Sequence, residues 1–296
     1  MKKSLVRFSV TLLFAFVVIA FIANPSHYTK AFLDGVTVWA HNVLPVLFPF
    51  ALLSTLYTKG IKTSKFSFSK LLFKIPCDNV WFVSFLCGYP VGAKAISQQN
   101  VNQPTALAMC SFCSTPNPIF ILATVGTLLD NVTATVIVCI SQMIAMLLNG
   151  LLYTAGKSYK FSKNIENIDT ADFGTTLTNS ILSVLSIGGL IALFFLLTEM
   201  VQSILPTAIS RHPMVFFTIG LLEMTSGIIK ITQNCSLFIA TVCTSTLLSF
   251  GGLCVAMQCF AFLSQKGVKF TQILKIKGTQ SAFATLTTFV LAKIFL

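Results

Sequence analysis

Gly88-Tyr89-Pro90-Val91-Gly92-Ala93-Lys94 breaks an otherwise apolar segment, and its reading decides the fold. On one side Asn79 to Cys87 is apolar enough for a short helix; on the other, Ala93 to Asn102 turns polar. Neither arm approaches the ~20 residues that a helix needs to cross a bilayer. Two glycines and a proline within five residues turn the backbone and cannot continue a helix. The stretch therefore predicts a re-entrant hairpin. Broken backbone is tolerated inside a membrane only where protein or a wet cavity surrounds it, so this turn is also the first pointer to a solute site.

The composition agrees with a bilayer environment. Of 296 residues, 55% are hydrophobic and 9% charged, with 28 Phe, far from the balance of a soluble domain. The formal charge of +12 would suit a nucleic-acid partner. Its lysines, however, gather in short loops between apolar segments, as positive-inside topology requires, and no nucleic acid is expected. Cys110-Ser-Phe-Cys113 is the lone CxxC among nine Cys, with no second pair or nearby His, so neither zinc nor a redox pair is expected. Met1 to Ala23 carries Lys2, Lys3 and Arg7 before an apolar run, yet Phe21 is too bulky for a cleavage site after Ala23. An uncleaved first helix is expected, with the loop to residue 30 and a cytoplasmic N-terminus.

Two halves follow, 31–156 and 173–296, joined by a polar linker at 157–172. The first contains Phe32 to Thr58 with Pro45 and Pro49, a basic loop from Lys59 to Lys74, the hairpin, an interrupted segment Thr105 to Leu129, and an apolar helix from Val132 to Gly156. In the second, Ile181-Leu-Ser-Val-Leu aligns with Val43-Leu-Pro-Val-Leu, and Gly227 can be laid on Gly92. The same register lays Ser249-Phe-Gly-Gly-Leu253 on Ser114-Thr-Pro-Asn-Pro118. Paired interrupted segments in two halves point to a transporter site. With both hairpins re-entrant, each half crosses three times and the basic loops fall on one side: Lys2 to Arg7, Lys59 to Lys74, Lys157 to Lys163, and Lys266, Lys269, Lys275 and Lys277. Only Lys30 and Arg211 lie outside. The expected fold is an all-α polytopic membrane protein built as an inverted repeat with two re-entrant hairpins and two broken transmembrane helices.

Ionisable groups within membrane segments are functional candidates by default. Lys94 follows the first turn and suits an anionic solute; pairing with Glu223 across the pseudo-two-fold is an equal alternative. Glu223 precedes the second break, where it could hold a sodium ion or a proton for coupling. Glu199 and Lys230 are expected to snorkel to the interface. In Ser114-Thr115-Pro116-Asn117-Pro118 the prolines free carbonyls one turn earlier. Ser114, Thr115 and Asn117 add polar side chains there, and Ser249, Gly251, Gly252 and Gln258 are their counterparts. Gly88, Tyr89, Pro90 and Gly92 complete the expected binding set, with Phe250 a weaker stacking candidate. Packing kinks are the bland alternative for both breaks. Trp39 and Trp81 read as interfacial or packing aromatics. His27, His41 and His212 have no carboxylate or Cys at useful spacing and no phosphate loop is present, so no catalytic centre or bound cofactor is expected.

Cys87-Gly-Tyr-Pro-Val-Gly-Ala-Lys94, Ser114-Thr-Pro-Asn-Pro-Ile-Phe120 with Thr124-Val-Gly126, Gly220-Leu-Leu-Glu-Met-Thr-Ser-Gly227, and Ser249-Phe-Gly-Gly-Leu253 with Gln258 resemble the YlbJ-type sporulation integral membrane proteins of the nucleoside-recognition (Gate) domain group. The resemblance runs from about Phe32 to the C-terminus. It implies a fold related to concentrative nucleoside transporters and, in spore formers, movement of dipicolinate, a small aromatic dianion, at the forespore membrane. The expected role is secondary transport of a small anionic solute across the cell membrane. A nucleoside transporter and a non-transporting scaffold or sporulation assembly factor are the alternatives, and a homo-oligomer is left open.

Overall fold

The computed structural model describes residues 2–45, 47–49, 51–53, 67–157, 159, 173–210 and 212–296. Lys59, Lys62, Lys65, Lys160, Lys163, Arg211 and most of the linker, all used above to argue topology, lie outside them.

All described regular elements are helical. Before the linker come the N-terminal α1 (Lys2–Ala23), then α2 (Pro25–Val38), a π-helical turn (Trp39–Val43), α3 (Leu47–Leu53), α4 (Phe68–Phe73), α5 (Asp78–Cys87), α6 (Val91–Ser97), α7 (Gln103–Cys113), α8 (Pro118–Phe120), a second π turn (Ile121–Val125), α9 (Gly126–Leu129) and α10 (Val132–Thr154). The second half comprises α11 (Phe173–Ile204), α12 (Thr207–Ser210), α13 (Pro213–Leu222), α14 (Met224–Asn234), α15 (Leu237–Phe250), α16 (Gly252–Leu263) and α17 (Phe270–Phe295).

Local chemistry sets the boundaries. Asn102 accepts from the Thr105 amide at 3.1 Å before Pro104 opens α7, and Asn131 accepts from Ala134 at 2.9 Å to start α10. Each cap satisfies a donor that the helix itself leaves open. On α10 the residues Val136, Ile140, Met143 and Leu151 are exposed while Ala134, Val138, Ala145 and Met146 are buried, leaving an apolar outer stripe that suits lipid.

Among the described residues, four stretches are long and apolar enough to cross a membrane: Gln103–Leu129, Val132–Thr154, Gly174–Ile204 and Leu237–Lys266. Pro25–Val43 with Leu47–Leu53, bent by 63°, makes a fifth if read as one span. This is fewer than the three crossings per half and a first helix expected above. At the C-terminus the physical reason is clear: α17 has the length, but its inward face carries Lys277, Gln280, Ser281 and Thr288, all buried. Lys275 and Lys277 both lie within α17 and are no loop charges, and buried Lys277 drops out of the basic set assigned to the inner side.

Packing between the halves is reciprocal. The leading helices α2 and α11 lie against each other, as do the closing helices α10 and α17. The second arm of the first hairpin, α6, touches α7 of its own half and α16 of the other; α14 touches α15 of its own half and α9 of the other. A buried polar seam joins the closing helices to α15. Gln142 donates to the Ser245 carbonyl and hydroxyl, both at 2.9 Å, and accepts from Ser249 at 2.8 Å; Thr288 donates to the Ser245 hydroxyl at 2.6 Å.

Candidate functional site

A cavity of about 140 Å³ sits where the interrupted elements meet. Its walls are Cys87, Gly88, Tyr89 and Pro90 from the first hairpin turn, residues of the first broken helix from Pro116 and Asn117 through Ile119 and Phe120 to Ala123 and Thr124, Glu223 to Thr225 from the second hairpin turn, and Cys254, Val255 and Gln258 beyond the second break. Asn42, Val43 and Leu47, with Ile187 and Ile191, close it from the leading helices. Exposed Asn42, Ile119 and Ala123 mark its mouth, and buried Glu223, Gln258 and Cys254 its depth. Both π turns contribute lining, Asn42 from one and Thr124 from the other; such helical defects gather at functional sites.

The hairpin turn is held by the first broken helix. The Tyr89 amide donates to the Thr115 carbonyl at 2.9 Å, and Asn117 Nδ2 donates to the Cys87 carbonyl at 3.2 Å. Asn117 Oδ1 meanwhile accepts from the Phe120 amide and so caps α8. Gly92 is the point of closest approach: a Cβ there would lie 1.9 Å from the Cys113 carbonyl oxygen. The second break has its own counterpart in Gly252, at φ +72°, where a Cβ would meet the Leu222 carbonyl at 3.0 Å. Each hairpin is thus pressed against a break through a residue without a side chain.

Glu223 does not precede the turn of the second hairpin; it is the turn. It adopts an extended conformation between α13 and α14, and its two carboxylate oxygens accept from the amides of Thr225 at 3.1 Å and Ser226 at 2.7 Å. A carboxylate on the first amides of a helix faces the positive end of its dipole. It is also buried, at 3% exposure, and lines the cavity.

Of the expected set, the cavity gathers Gly88, Tyr89, Pro90, Asn117, Glu223 and Gln258. The rest stand behind it. Ser114 is buried, its hydroxyl 3.4 Å from Cys259 Sγ, and Thr115 lines a separate small void with Gln142. Ser249 is committed to Gln142, while Gly251 and Gly252 make the turn between α15 and α16. Gly227 lies against Gly220 within its own hairpin. Lys94 is 8% exposed, is outside the cavity wall, and its ammonium meets no hydrogen-bond partner among the described residues. The alternative of a Lys94–Glu223 pair fails as well: no such contact is found among the described residues, where Glu199 instead lies 3.1 Å from His27 Nε2. Lys230 hydrogen-bonds Gln202. Asn42, Thr124, Thr225 and Lys277 are the polar groups at or beside the site that sequence reasoning passed over. Thr124 and Thr225 both belong to the motifs given above. Lys277 was signalled only by its place on the buried stripe Ile273, Lys277, Gln280 and Ala284.

Compared with known proteins, the chain is 22% identical over 335 residues to the "Sporulation integral membrane protein YlbJ" of Bacillus subtilis (strain 168), covering 95% of this chain and 81% of that protein. The chain is a distant homologue of YlbJ. No family model matches it, so the Gate-domain resemblance stands on its four motifs alone. No solved structure matches. The homology to an integral membrane protein and the apolar helices together support a membrane protein with several membrane-spanning helices.

Proposed function

We propose that the protein is a secondary transporter that moves a small anionic solute through this cavity, with two inverted repeats forming its walls. The observation that carries the reading is the convergence of all four interrupted elements on one cavity, where irregular backbone inside a membrane needs protein or a wet space around it. The reciprocal contacts of α6 and α14 across the halves support the repeat. Charge supports the anion. The buried Lys and Glu side chains among the described residues are Lys94, Lys277 and Glu223, two basic groups against one acid, in a medium where charge is weakly screened. Glu223 is the coupling group, because it alone of these three faces the cavity. Dipicolinate is the proposed solute in a spore former, and the forespore membrane the proposed site.

A second reading is carried by the amides of Asn42, Asn117 and Gln258 on the cavity wall, where no basic side chain stands among the described residues. A neutral solute rich in hydrogen-bonding groups, such as a nucleoside, would suit them. Ligand-induced thermal shift of the purified protein separates the two, since a ligand confined to the folded state must stabilise it. A shift with dipicolinate that Gln258→Ala weakens supports the anion, one with nucleosides alone supports the second reading, and none with either rejects transport through this cavity.

A further inference from the structure

The Ser114 carbonyl lacks a helical donor for a covalent reason. In a continuing helix it would accept from the residue four positions on, which is Pro118, and proline has no N–H. Ser114 ends α7 at φ −119°, ψ 65°, so its oxygen sits at the negative end of an 11-residue helix. Lys277 reaches this point from α17. Its ammonium donates to the Ser114 oxygen, the side chain is fully buried, and Nζ lies 4.4 Å from the Tyr89 ring centroid. A helix C-terminal carbonyl and an aromatic face each attract cations. No carboxylate is paired with the ammonium among the described residues.

Hydroxyls satisfy neighbouring carbonyls at both breaks: Cys113 accepts from Ser84 Oγ at the first, and Leu248, its counterpart in the register above, accepts from the Tyr89 hydroxyl at 3.1 Å at the second. A buried ammonium without a counter-ion is far costlier than a hydroxyl, so its presence at one break alone asks for a reason beyond satisfying an oxygen.

We propose that the Ser114 carbonyl and the Tyr89 ring face form a monovalent-cation site whose occupant, the Lys277 ammonium, is carried by the chain itself. The first break is then filled by an amine of the chain itself and takes no metal ion. This holds whatever the neighbouring cavity transports. Removing the amine should open a site for a small cation that still has N–H donors.

The test uses full-length protein in detergent and the midpoint of thermal unfolding, for wild type and Lys277→Ala, with methylammonium or tetramethylammonium chloride at matched ionic strength. The expected result is a lowered midpoint in the variant that rises saturably with methylammonium, no rise with tetramethylammonium, and no response in wild type. Equal responses to both salts, or none to either, would overturn the site. Should Lys277→Ala fail to fold, Lys277→Gln and Lys277→Arg decide. A glutamine variant with the wild-type midpoint overturns the proposal, because a neutral donor then suffices. A low midpoint restored by arginine upholds it, and one that arginine leaves low counts against it.

Discussion

Tyr89 stands between the two breaks: its ring faces the Lys277 ammonium at 4.4 Å, and its hydroxyl donates to the Leu248 carbonyl at 3.1 Å. The two contacts can be removed separately. Tyr89→Phe keeps the ring and loses the hydroxyl bond, which should cost about 1 kcal/mol. Tyr89→Leu also exposes the ammonium to a face without π density, adding roughly 0.5–2 kcal/mol. Denaturation of the two variants should therefore rank leucine below phenylalanine. Equal stabilities would mean that the ring face contributes nothing to holding Lys277.

Glu223 holds two amides with two oxygens, and glutamine offers only one acceptor. Glu223→Gln should lose a cap and its charge–dipole attraction, together about 1–2 kcal/mol. Function separates this from a simple cap. If Glu223 carries the coupling ion, the variant in proteoliposomes should still exchange solute across the membrane while losing uphill uptake driven by an ion gradient. Loss of both activities in a folded variant, or retention of both, would remove Glu223 from coupling.

Glycines in this chain are not equivalent. A Cβ at Gly92 would fall 1.9 Å from the Cys113 carbonyl, which is backbone and cannot swing away, whereas one at Gly278 in α17 meets nothing within 4 Å. Gly92→Ala should push the hairpin off the broken helix and sharply reduce folded yield. Gly278→Ala should raise stability by about 0.5–1 kcal/mol, the helical preference for alanine. Size-exclusion profiles and unfolding midpoints of the pair check both signs.

The first hairpin and both broken helices could be read from sequence because glycine and proline mark backbone that cannot continue a helix. Glu223 shows where that signal stops. No glycine or proline stands at the second hairpin turn; the chain turns because a carboxylate replaces the lost helical bonds, and only the fold reveals which acid does so. Lys94 stands on the second arm as expected, but four residues past Pro90 is about one helical turn, which moves it ~6 Å along α6 and off the cavity wall. Lys277 was misread because Lys266, Lys269 and Lys275 resemble a basic loop. Distinguishing it needed the partner across the bundle, the Ser114 carbonyl, 163 positions away in the chain.

Asn117 offers the sharpest test of solute charge, because one side chain serves both as a cap and as cavity wall. Its Oδ1 caps α8 and its Nδ2 reaches the Cys87 carbonyl at 3.2 Å. Asn117→Asp keeps the capping oxygen, loses the donor to Cys87, and adds a second carboxylate to a cavity that already holds Glu223. The structural cost is one hydrogen bond, about 1 kcal/mol. An anionic solute would face a new like charge at contact distance in a poorly screened space, which should weaken its binding by more than tenfold, or at least about 1.4 kcal/mol. Asn117→Ala loses the cap, the donor and the cavity contact without adding charge. Dipicolinate affinity should therefore fall much further in the aspartate variant than in the alanine variant, although aspartate is the more stable of the two. The reverse order would sink the anion reading, because a neutral solute would lose a hydrogen-bonding wall in the alanine variant and meet no repulsion in the other.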